Sequence, residues 1–351
     1  MLDAIIAQFI LSAFPRETEV EKYSHRDRLQ VILAGQRPDR FAASFWRHFF
    51  HLEHTAEGTA DAMHRFQKEF DWDFMKVNPR ADYHVQDWGV KLRYSNKELE
   101  NHVKLSFPIS SAEDWADLRP LPLTAPVLAE HLKLVSLLRN RCGRDLPILM
   151  TVFTPLSVAG RMVADHQTLV SHMRSRPEQI HAALRVITDT FVKFVSELRN
   201  AGADGLFFAT THWASADLLT WEEYEEFGVP YDLDVVRAAE ADAINLFHVC
   251  GSNNYLLRLA KLPYPAGMIN WDSSDPTNLP LDKALELIPD KTLVGGVDYR
   301  GWLRRSRPDE MPHFIRELKR QFDPAKLIIA PGCAVEPGTD MNNLRAIRQQ
   351  L

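Results

Sequence analysis

The chain has 351 residues, 45% of them hydrophobic, and a formal net charge of −6, a balance typical of a globular protein with a large core. It has no basic tract, which argues against nucleic-acid binding, and its apolar runs are too short to predict a membrane span. Three cysteines cannot build a disulfide framework, so we expect a reducing, cytoplasmic setting.

Residues 1–25 are expected to form a helical extension before the main domain. The segment MLDAIIAQFILSAF carries Asp3 and lacks a basic start, so it does not fit a signal peptide. Its apolar residues fall on one helical face, at Leu2, Ile5, Ile6, Phe9 and Ile10. That face predicts packing either on the body of the protein or on a second copy, so a homodimer is one of two arrangements that the sequence leaves open.

Eight short runs combine few charges with many β-branched or aromatic residues, which is typical of buried strands. They are residues 40–46, 72–77, 147–153, 205–211, 243–249, 266–271, 292–297 and 326–331. Helical periodicity lies between them, most clearly over 176–203, which ends near Gly202. The alternation predicts an α/β protein, a single (β/α)8 barrel over residues 26–351. Residues 82–96 are expected to form a small excursion of extended strands.

Polar side chains follow the predicted strands at the ends where (β/α)8 barrels hold their active sites. These residues are Arg47, His48, Lys76, Asn78, Thr211, His212, His248, Cys250, Asp272, Asp298 and Cys333. A polar ring at the ends of apolar strands is best explained by a cavity. The sequence therefore predicts a site at the carboxyl mouth of the barrel.

His248 and Cys250 are two residues apart, so on an extended strand they point the same way. Cys333 follows the eighth predicted strand and reaches the same mouth. One imidazole and two thiolates form a zinc-ligand set, and three protein ligands leave a fourth position open, as in catalytic zinc sites. The alternative is that these cysteines only fill the core, as free cysteine often does. Cys142 is expected at the opposite mouth.

Several stretches resemble the uroporphyrinogen decarboxylase superfamily, and within it the zinc-dependent corrinoid methyltransferases. They are HRDRLQVILAGQRPDRF, AGADGLFF, HVCG and APGCAVEPGTDMNNLRAI. The resemblance implies a (β/α)8 barrel and a His–x–Cys–(gap)–Cys zinc site, which falls on His248, Cys250 and Cys333. It also implies methyl transfer from a methyl-corrinoid such as methylcobalamin, free or on a corrinoid carrier protein, to a small thiol activated by zinc.

The decarboxylase branch fits less well. Those enzymes carry an Arg-Gln-Ala-Gly-Arg stretch after the first strand, but here FWRHFF offers only Arg47. Cys333 stands where they have the histidine of a Gly-His-Gly. Asp82 lies near the position of their catalytic aspartate, so a decarboxylase of a tetrapyrrole or other carboxylic acid stays an alternative. A non-catalytic corrinoid- or tetrapyrrole-binding barrel is a second alternative.

The remaining candidates have a functional and a structural interpretation. His212 is a candidate catalytic residue or a helix-start residue, and Asp82 is a candidate catalytic residue or a loop residue. Arg47, His48 and Asp298 are candidates for substrate binding, although Asp298, like Asp272, can instead support a zinc ligand or cap the helix that follows. The cluster HFFHLEH, with His51, Glu53 and His54 after His48, has no recognised metal spacing and is expected to line the cavity or face solvent.

Overall fold

The computed structural model describes residues 23–351. The predicted amphipathic face from Leu2 to Ile10, and so both arrangements that the sequence leaves open for it, lie outside the described residues. Within them, no helix has both the length and the apolar character needed to cross a membrane.

Seven parallel strands form one curled sheet, in which the strands stand side by side in their order along the chain. The strands are β1 (Met75–Val77), β4 (Ile148–Phe153), β5 (Gly205–Ala209), β6 (Leu246–Val249), β7 (Met268–Trp271), β8 (Thr292–Val297) and β9 (Leu327–Pro331), with a separate pair β2 (Lys91–Arg93) and β3 (Val103–Ser106). Seven of the eight predicted strands are present, and the predicted (β/α)8 barrel class is confirmed. Each strand of this sheet after the first pairs with the sheet strand that precedes it along the chain.

The predicted first strand, over residues 40–46, is present only as a single bridge between Ala43 and Ile329. The segment still closes the barrel, because Ile329 N–H donates to Ala42 O at 2.9 Å and Ser44 N–H donates to Ile329 O at 3.1 Å. On its other side, Asp73 N–H donates to Ala43 O at 2.9 Å. The prediction of a regular strand was wrong because the Ala43 N–H donates to the Asp73 carboxylate, at 2.8 Å, rather than to a neighbouring strand.

A buried ion cluster around Asp73 holds this closure. The Asp73 carboxylate accepts from Arg28 Nη1 at 2.7 Å and from Arg40 Nη1 at 2.8 Å. Burial alone would raise the pKa of this carboxyl, but hydrogen bonds from His25, Arg40 and the Ala43 N–H hold it well below its ordinary value. The cluster joins the first described helix, the closing segment and the approach to β1.

Helices surround the sheet, and their apolar faces explain where they pack. They are His25–Leu33, Ala56–Phe70, Tyr83–Gln86, Pro126–Cys142, Pro155–Met162, His166–Ser175, Pro177–Asn200, Trp221–Phe227, Val229–Arg237, Leu256–Ala260, Leu281–Leu287, Trp302–Arg305, Met311–Gln321 and Met341–Arg348, with 3-10 turns at Glu113–Asp117 and Pro308–Glu310. In Pro177–Asn200 the apolar residues at helical spacing, from Ile180 to Leu198, are buried. Leu29 and Ile32 of the first described helix pack with residues of the barrel interior.

The excursion between β1 and β4 is partly as predicted for residues 82–96. Strand β2 lies in the second half of that segment, as predicted, and it pairs antiparallel with β3, which follows the segment. The first half is instead the short helix Tyr83–Gln86, whose side chains at Tyr83, His84 and Val85 are buried. Tyr83 fixes this turn because its hydroxyl donates to Thr151 O of β4 at 2.8 Å.

Candidate metal centre and cavity

The carboxyl ends of the strands surround a cavity of about 470 Å³. The polar residues that line it are Arg47, His48, Lys76, Asn78, Asp82, His84, Glu98, Asn101, Thr151, Arg161, Thr211, His212, His248, Cys250, Tyr299, Arg300, Cys333 and Glu336. Phe50, Phe153 and Phe207 supply apolar wall. A concave pocket with converging polar groups is the usual form of a small-molecule site.

Three potential metal ligands converge in this cavity. One ligand atom from each of His248, Cys250 and Cys333 lies within 4.8 Å of the other two. His248 is in β6, Cys250 follows β6 directly, and Cys333 lies two residues beyond β9. Two sulfurs and one imidazole nitrogen suit a borderline-soft cation such as zinc, and three protein ligands leave one coordination position for another molecule.

The neighbouring strand fixes the tautomer of His248. Asn270 of β7 is the register partner of His248, and its Oδ1 lies 2.6 Å from His248 Nδ1. Asn270 Nδ2 donates to Val294 O at 2.7 Å and to Pro331 O at 3.1 Å, so the amide cannot turn round without losing both bonds. The Nδ1 of His248 therefore carries the proton, and Nε2 keeps a lone pair for a metal. Metal-binding histidines are commonly held in this way.

Two glycines shape the chain beside the cysteines. Gly251 follows Cys250 with φ +89°, a conformation that other residues rarely adopt. Gly332 precedes Cys333, and a Cβ built on it would lie 2.7 Å from the Cα of Asp272. The close approach of the two backbones lets the chain after β9 bring Cys333 towards β6.

The sulfurs of Cys250 and Cys333 lie within 4.8 Å of each other and influence each other's ionisation. The interaction with Cys250 lowers the pKa of the Cys333 thiol well below its ordinary value, and His248 and Lys76 act in the same direction. The interaction with Cys333 and burial together raise the pKa of the Cys250 thiol well above its usual range.

Lys76 lies at the floor of the cavity, near the end of β1, and is only 7% exposed. Its Nζ is 4.5 Å from the centre of the Phe207 ring and donates to Asn78 Oδ1. Burial lowers the pKa of this ammonium to about 8, although the charges of Cys333 and Cys250 oppose the change. At neutral pH the cavity floor therefore carries a positive charge.

His48 lines the cavity and is held by Glu53, which is fully buried. His48 Nδ1 lies 3.1 Å from Glu53 Oε1, and Phe49 N–H donates to Glu53 Oε2 at 3.0 Å. Burial would raise the pKa of Glu53, but His102, whose Nε2 lies 3.4 Å from Oε1, and the hydrogen bond with His48 lower it to about 2. Arg47, which precedes His48 and also lines the cavity, forms an ion pair with Glu98, with Nη2 2.9 Å from Oε1.

Asp82 lines another part of the wall, in a left-handed conformation with φ 65°. Two cations flank its carboxylate, with Arg161 Nη1 at 3.6 Å and Lys104 Nζ at 3.8 Å from Oδ1. His84 is buried beside them, and burial together with these two cations holds its pKa well below the ordinary value. A loop residue facing solvent was the alternative for Asp82, but the side chain is 8% exposed.

Of the other two candidates, His212 lines the cavity and Asp298 does not. His212 lines the cavity with an exposed side chain, and partial desolvation followed by the charge of Arg161 lowers its pKa. Asp298 accepts from the N–H groups of Gly301 and Trp302, at 2.8 and 2.9 Å, so it caps the helix Trp302–Arg305. It is not among the residues that line the cavity, and its part in substrate binding stays a prediction.

Residues of the HFFHLEH segment do not gather as a metal site, because His248, Cys250 and Cys333 form the single candidate group found among residues 23–351. His54 instead contacts Ser95 O at 2.7 Å. Cys142 ends the helix Pro126–Cys142, with its sulfur 3.5 Å from His64 Nδ1. That helix end leads into the start of β4, so Cys142 lies at the amino mouth, as expected.

Sequence reasoning did not identify Asn270, Arg161, Tyr299 or Arg300. Asn270 interrupts the apolar strand β7, and a polar residue in a buried strand was the available signal. Tyr299 and Arg300 directly follow Asp298, so a wider search of the residues after β8 would have found them. Arg161 is on a helix that follows β4, and no local pattern points to it.

Comparisons with known proteins are consistent across sequence and fold. Residues 25–350 match the family model described as uroporphyrinogen decarboxylase (URO-D). The chain is 22% identical over 244 residues to methylcobamide:CoM methyltransferase MtbA of Methanosarcina acetivorans, covering 68% of this chain and 67% of that protein. It is 26% identical over 254 residues to a uroporphyrinogen decarboxylase of Rhodococcus jostii, with the same coverage of each chain, 68% and 67%.

A solved methyltransferase from Methanosarcina mazei has the same fold. It superposes with a TM-score of 0.80, at 18% sequence identity, over 93% of this chain and 98% of that one. This similarity extends the agreement in fold to nearly the whole described chain.

Proposed function

Because the chain belongs to the uroporphyrinogen decarboxylase (URO-D) family, we propose that it is a zinc-dependent methyltransferase that moves a methyl group from a methyl-corrinoid to a thiol. The observation that carries this proposal is the convergence of His248, Cys250 and Cys333 on one cavity, with their ligand atoms within 4.8 Å. The methyltransferase named among the relatives adds support. The three free cysteines fit a cytoplasmic location.

The donor set fits zinc, and the surrounding residues fit the same role. His248 would use Nε2, since Nδ1 is engaged with Asn270 Oδ1. Cys250 and Cys333 would contribute one sulfur each. A free thiol has a pKa near 8.5, so only about 3% is thiolate at pH 7. Zinc, when bound, would supply the Lewis acidity that makes the substrate thiol a thiolate.

The reaction balances without another reagent. The thiol releases its proton to solvent, a carbon–sulfur bond forms as the cobalt–carbon bond breaks, and the corrinoid leaves with cobalt in the Co(I) state. The protein's part is to orient the sulfur and exclude water. Arg47, His48 and His212 line the cavity where a corrinoid or the remainder of the thiol would lie, and we propose that they contact these substrates. The corrinoid would arrive free or on a carrier protein.

Decarboxylation is the second candidate, and one observation favours it. Asp82 is buried in the cavity wall beside Arg161, so a carboxylate and a cation that both line the cavity are available to an acidic substrate. The decarboxylase named among the relatives is consistent with that use. This chemistry would not require the cysteine pair, and metal content separates the two candidates.

The test is metal analysis of protein purified under reducing conditions without chelator. We expect about one zinc per chain, lost in Cys333→Ser and retained in Cys142→Ser, the matched cysteine at the far mouth. Methylcobalamin consumption with a panel of thiols should follow the metal. Protein that binds no zinc would overturn the proposal and favour decarboxylation. Protein that binds zinc but turns over no thiol would instead indicate a corrinoid-binding barrel without turnover.

A further inference from the structure

Lys76 is a buried cation with no carboxylate partner of its own. Among residues 23–351, no ion pair involves Lys76, and its one side-chain hydrogen bond is to the neutral Asn78. The carboxylate whose charge acts on it, Glu53, is engaged by His48 and His102. A buried charge without a counter-charge is costly, by several kcal/mol per ion. Such a residue is therefore expected to have a functional partner.

Lys76 lines the same cavity as the two cysteines and the histidine of the candidate metal centre. A shared neighbour supports this proximity, because the Phe207 ring lies 4.5 Å from Lys76 Nζ and 5.0 Å from the His248 ring. Lys76 thus belongs to the same enclosed space as the three candidate ligands.

The net charge of the candidate metal centre with zinc bound indicates which negative charge Lys76 would balance. A divalent cation with two thiolates and a neutral imidazole has no net charge. A neutral molecule in the fourth position leaves the centre neutral, whereas a thiolate gives it one negative charge. An opposite charge within about 4–6 Å typically changes an ionisation equilibrium by 1–3 pKa units. A single fixed cation at the cavity floor therefore favours an anionic sulfur over a neutral ligand.

We propose that Lys76 is the counter-ion of the substrate thiolate, and that it makes the centre prefer thiols to neutral ligands. This inference rests on the proposed function. Lys76 acts through the charge that it places beside the sulfur and does not itself donate or accept the methyl group. The proton of the thiol goes to solvent, and the lysine stays protonated throughout.

The test compares two probes on cobalt(II)-loaded protein, followed by the absorption changes of the metal. The first probe is 2-mercaptoethanol, which has no acid group for the cavity arginines to bind, and the second is imidazole, which leaves the centre neutral. In Lys76→Met, the Kd for 2-mercaptoethanol should rise about tenfold to a hundredfold at constant pH. The Kd for imidazole should stay the same or fall.

Two further variants keep the result interpretable. Lys291→Met removes a half-buried lysine that lies before β8, at the other mouth of the barrel, and should leave both Kd values unchanged. Lys76→Arg keeps the charge and should keep the preference for the thiol, so it tests the inference even where Lys76→Met folds poorly. An equal change for both probes in Lys76→Met, or loss of the preference in folded Lys76→Arg, would overturn the inference alone. Failure of the wild-type protein to bind any thiol would overturn the proposed function, and the inference with it.

Discussion

Asn270 Oδ1 lies 2.6 Å from His248 Nδ1, directly across the pair of strands β6 and β7. The bond orients the imidazole and leaves Nε2 free. Asn270→Ala should therefore weaken zinc binding by about ten- to a hundredfold, as measured by competition with a chelator of known affinity.

The matched control for this variant is Asn245→Ala. Asn245 is also buried and also bonds neighbouring strands, through Leu206 N and Pro265 O, but it lies before β6, away from the site. Its loss should lower the free energy of unfolding and leave the zinc Kd unchanged. Equal zinc affinity in both variants would show that Asn270 has no part in holding His248.

Gly332→Ala should weaken zinc binding and lower stability. A Cβ at this position would lie 2.7 Å from the backbone Cα of Asp272, so the backbone next to Cys333 or the facing backbone must shift. Gly295→Ala is the control, because a Cβ there has ordinary contacts no closer than 3.9 Å. Zinc titrations and thermal melts of both variants check the expectation, which is contradicted if Gly332→Ala behaves like Gly295→Ala.

Asp232→Asn should raise stability at neutral pH and have little effect in acid. Asp232 is fully buried, and burial raises its pKa to about 7, although the hydroxyls of Tyr224 and Tyr264 donate to it. An unfolded aspartate has a pKa near 4, so between about pH 4 and 7 the folded chain holds a proton that the unfolded chain has lost. Wild-type stability therefore falls as pH rises through that window, and the amide removes the loss.

The measurement is the difference in the free energy of unfolding between Asp232→Asn and wild type, from urea titrations at pH 5 and pH 7.5. The difference should grow by about 2–4 kcal/mol at the higher pH. Asp282→Asn, at an exposed position of the helix Leu281–Leu287, is the control for replacing an aspartate that is not buried. A constant difference for Asp232→Asn would refute the assignment of a buried, protonated carboxyl.

Asp73→Asn should destabilise the chain by about 3–5 kcal/mol, because Arg28 and Arg40 would lose their shared buried counter-charge. Asp71→Asn, two residues earlier, removes an exposed partner of His25 and Arg348 and should cost less than about 1 kcal/mol. Urea unfolding of the two variants makes the comparison, and similar losses would mean that the Asp73 cluster contributes little.

The barrel and the ring of polar strand ends could be predicted from the sequence. Strands of a parallel barrel follow one another in chain order, and their carboxyl ends all lie at the same mouth. His248 and Cys250 were predictable as a pair from their spacing. The bond between His248 and Asn270 was not, because it depends on the register between two strands, which local patterns do not determine. The regular strand predicted over 40–46 failed for a similar reason, since the Asp73 side chain takes the Ala43 N–H.

The contact between Ala43 and Ile329 has a consequence for how the protein is made. The partner that completes the cylinder, β9, leaves the ribosome after all the other strands of the sheet. Until then β8 and the segment 41–46 both have open hydrogen-bonding edges, the condition under which nascent chains associate wrongly. Cys333 emerges immediately after β9. A chain that stops before β9 would therefore lack both the barrel closure and the third candidate ligand.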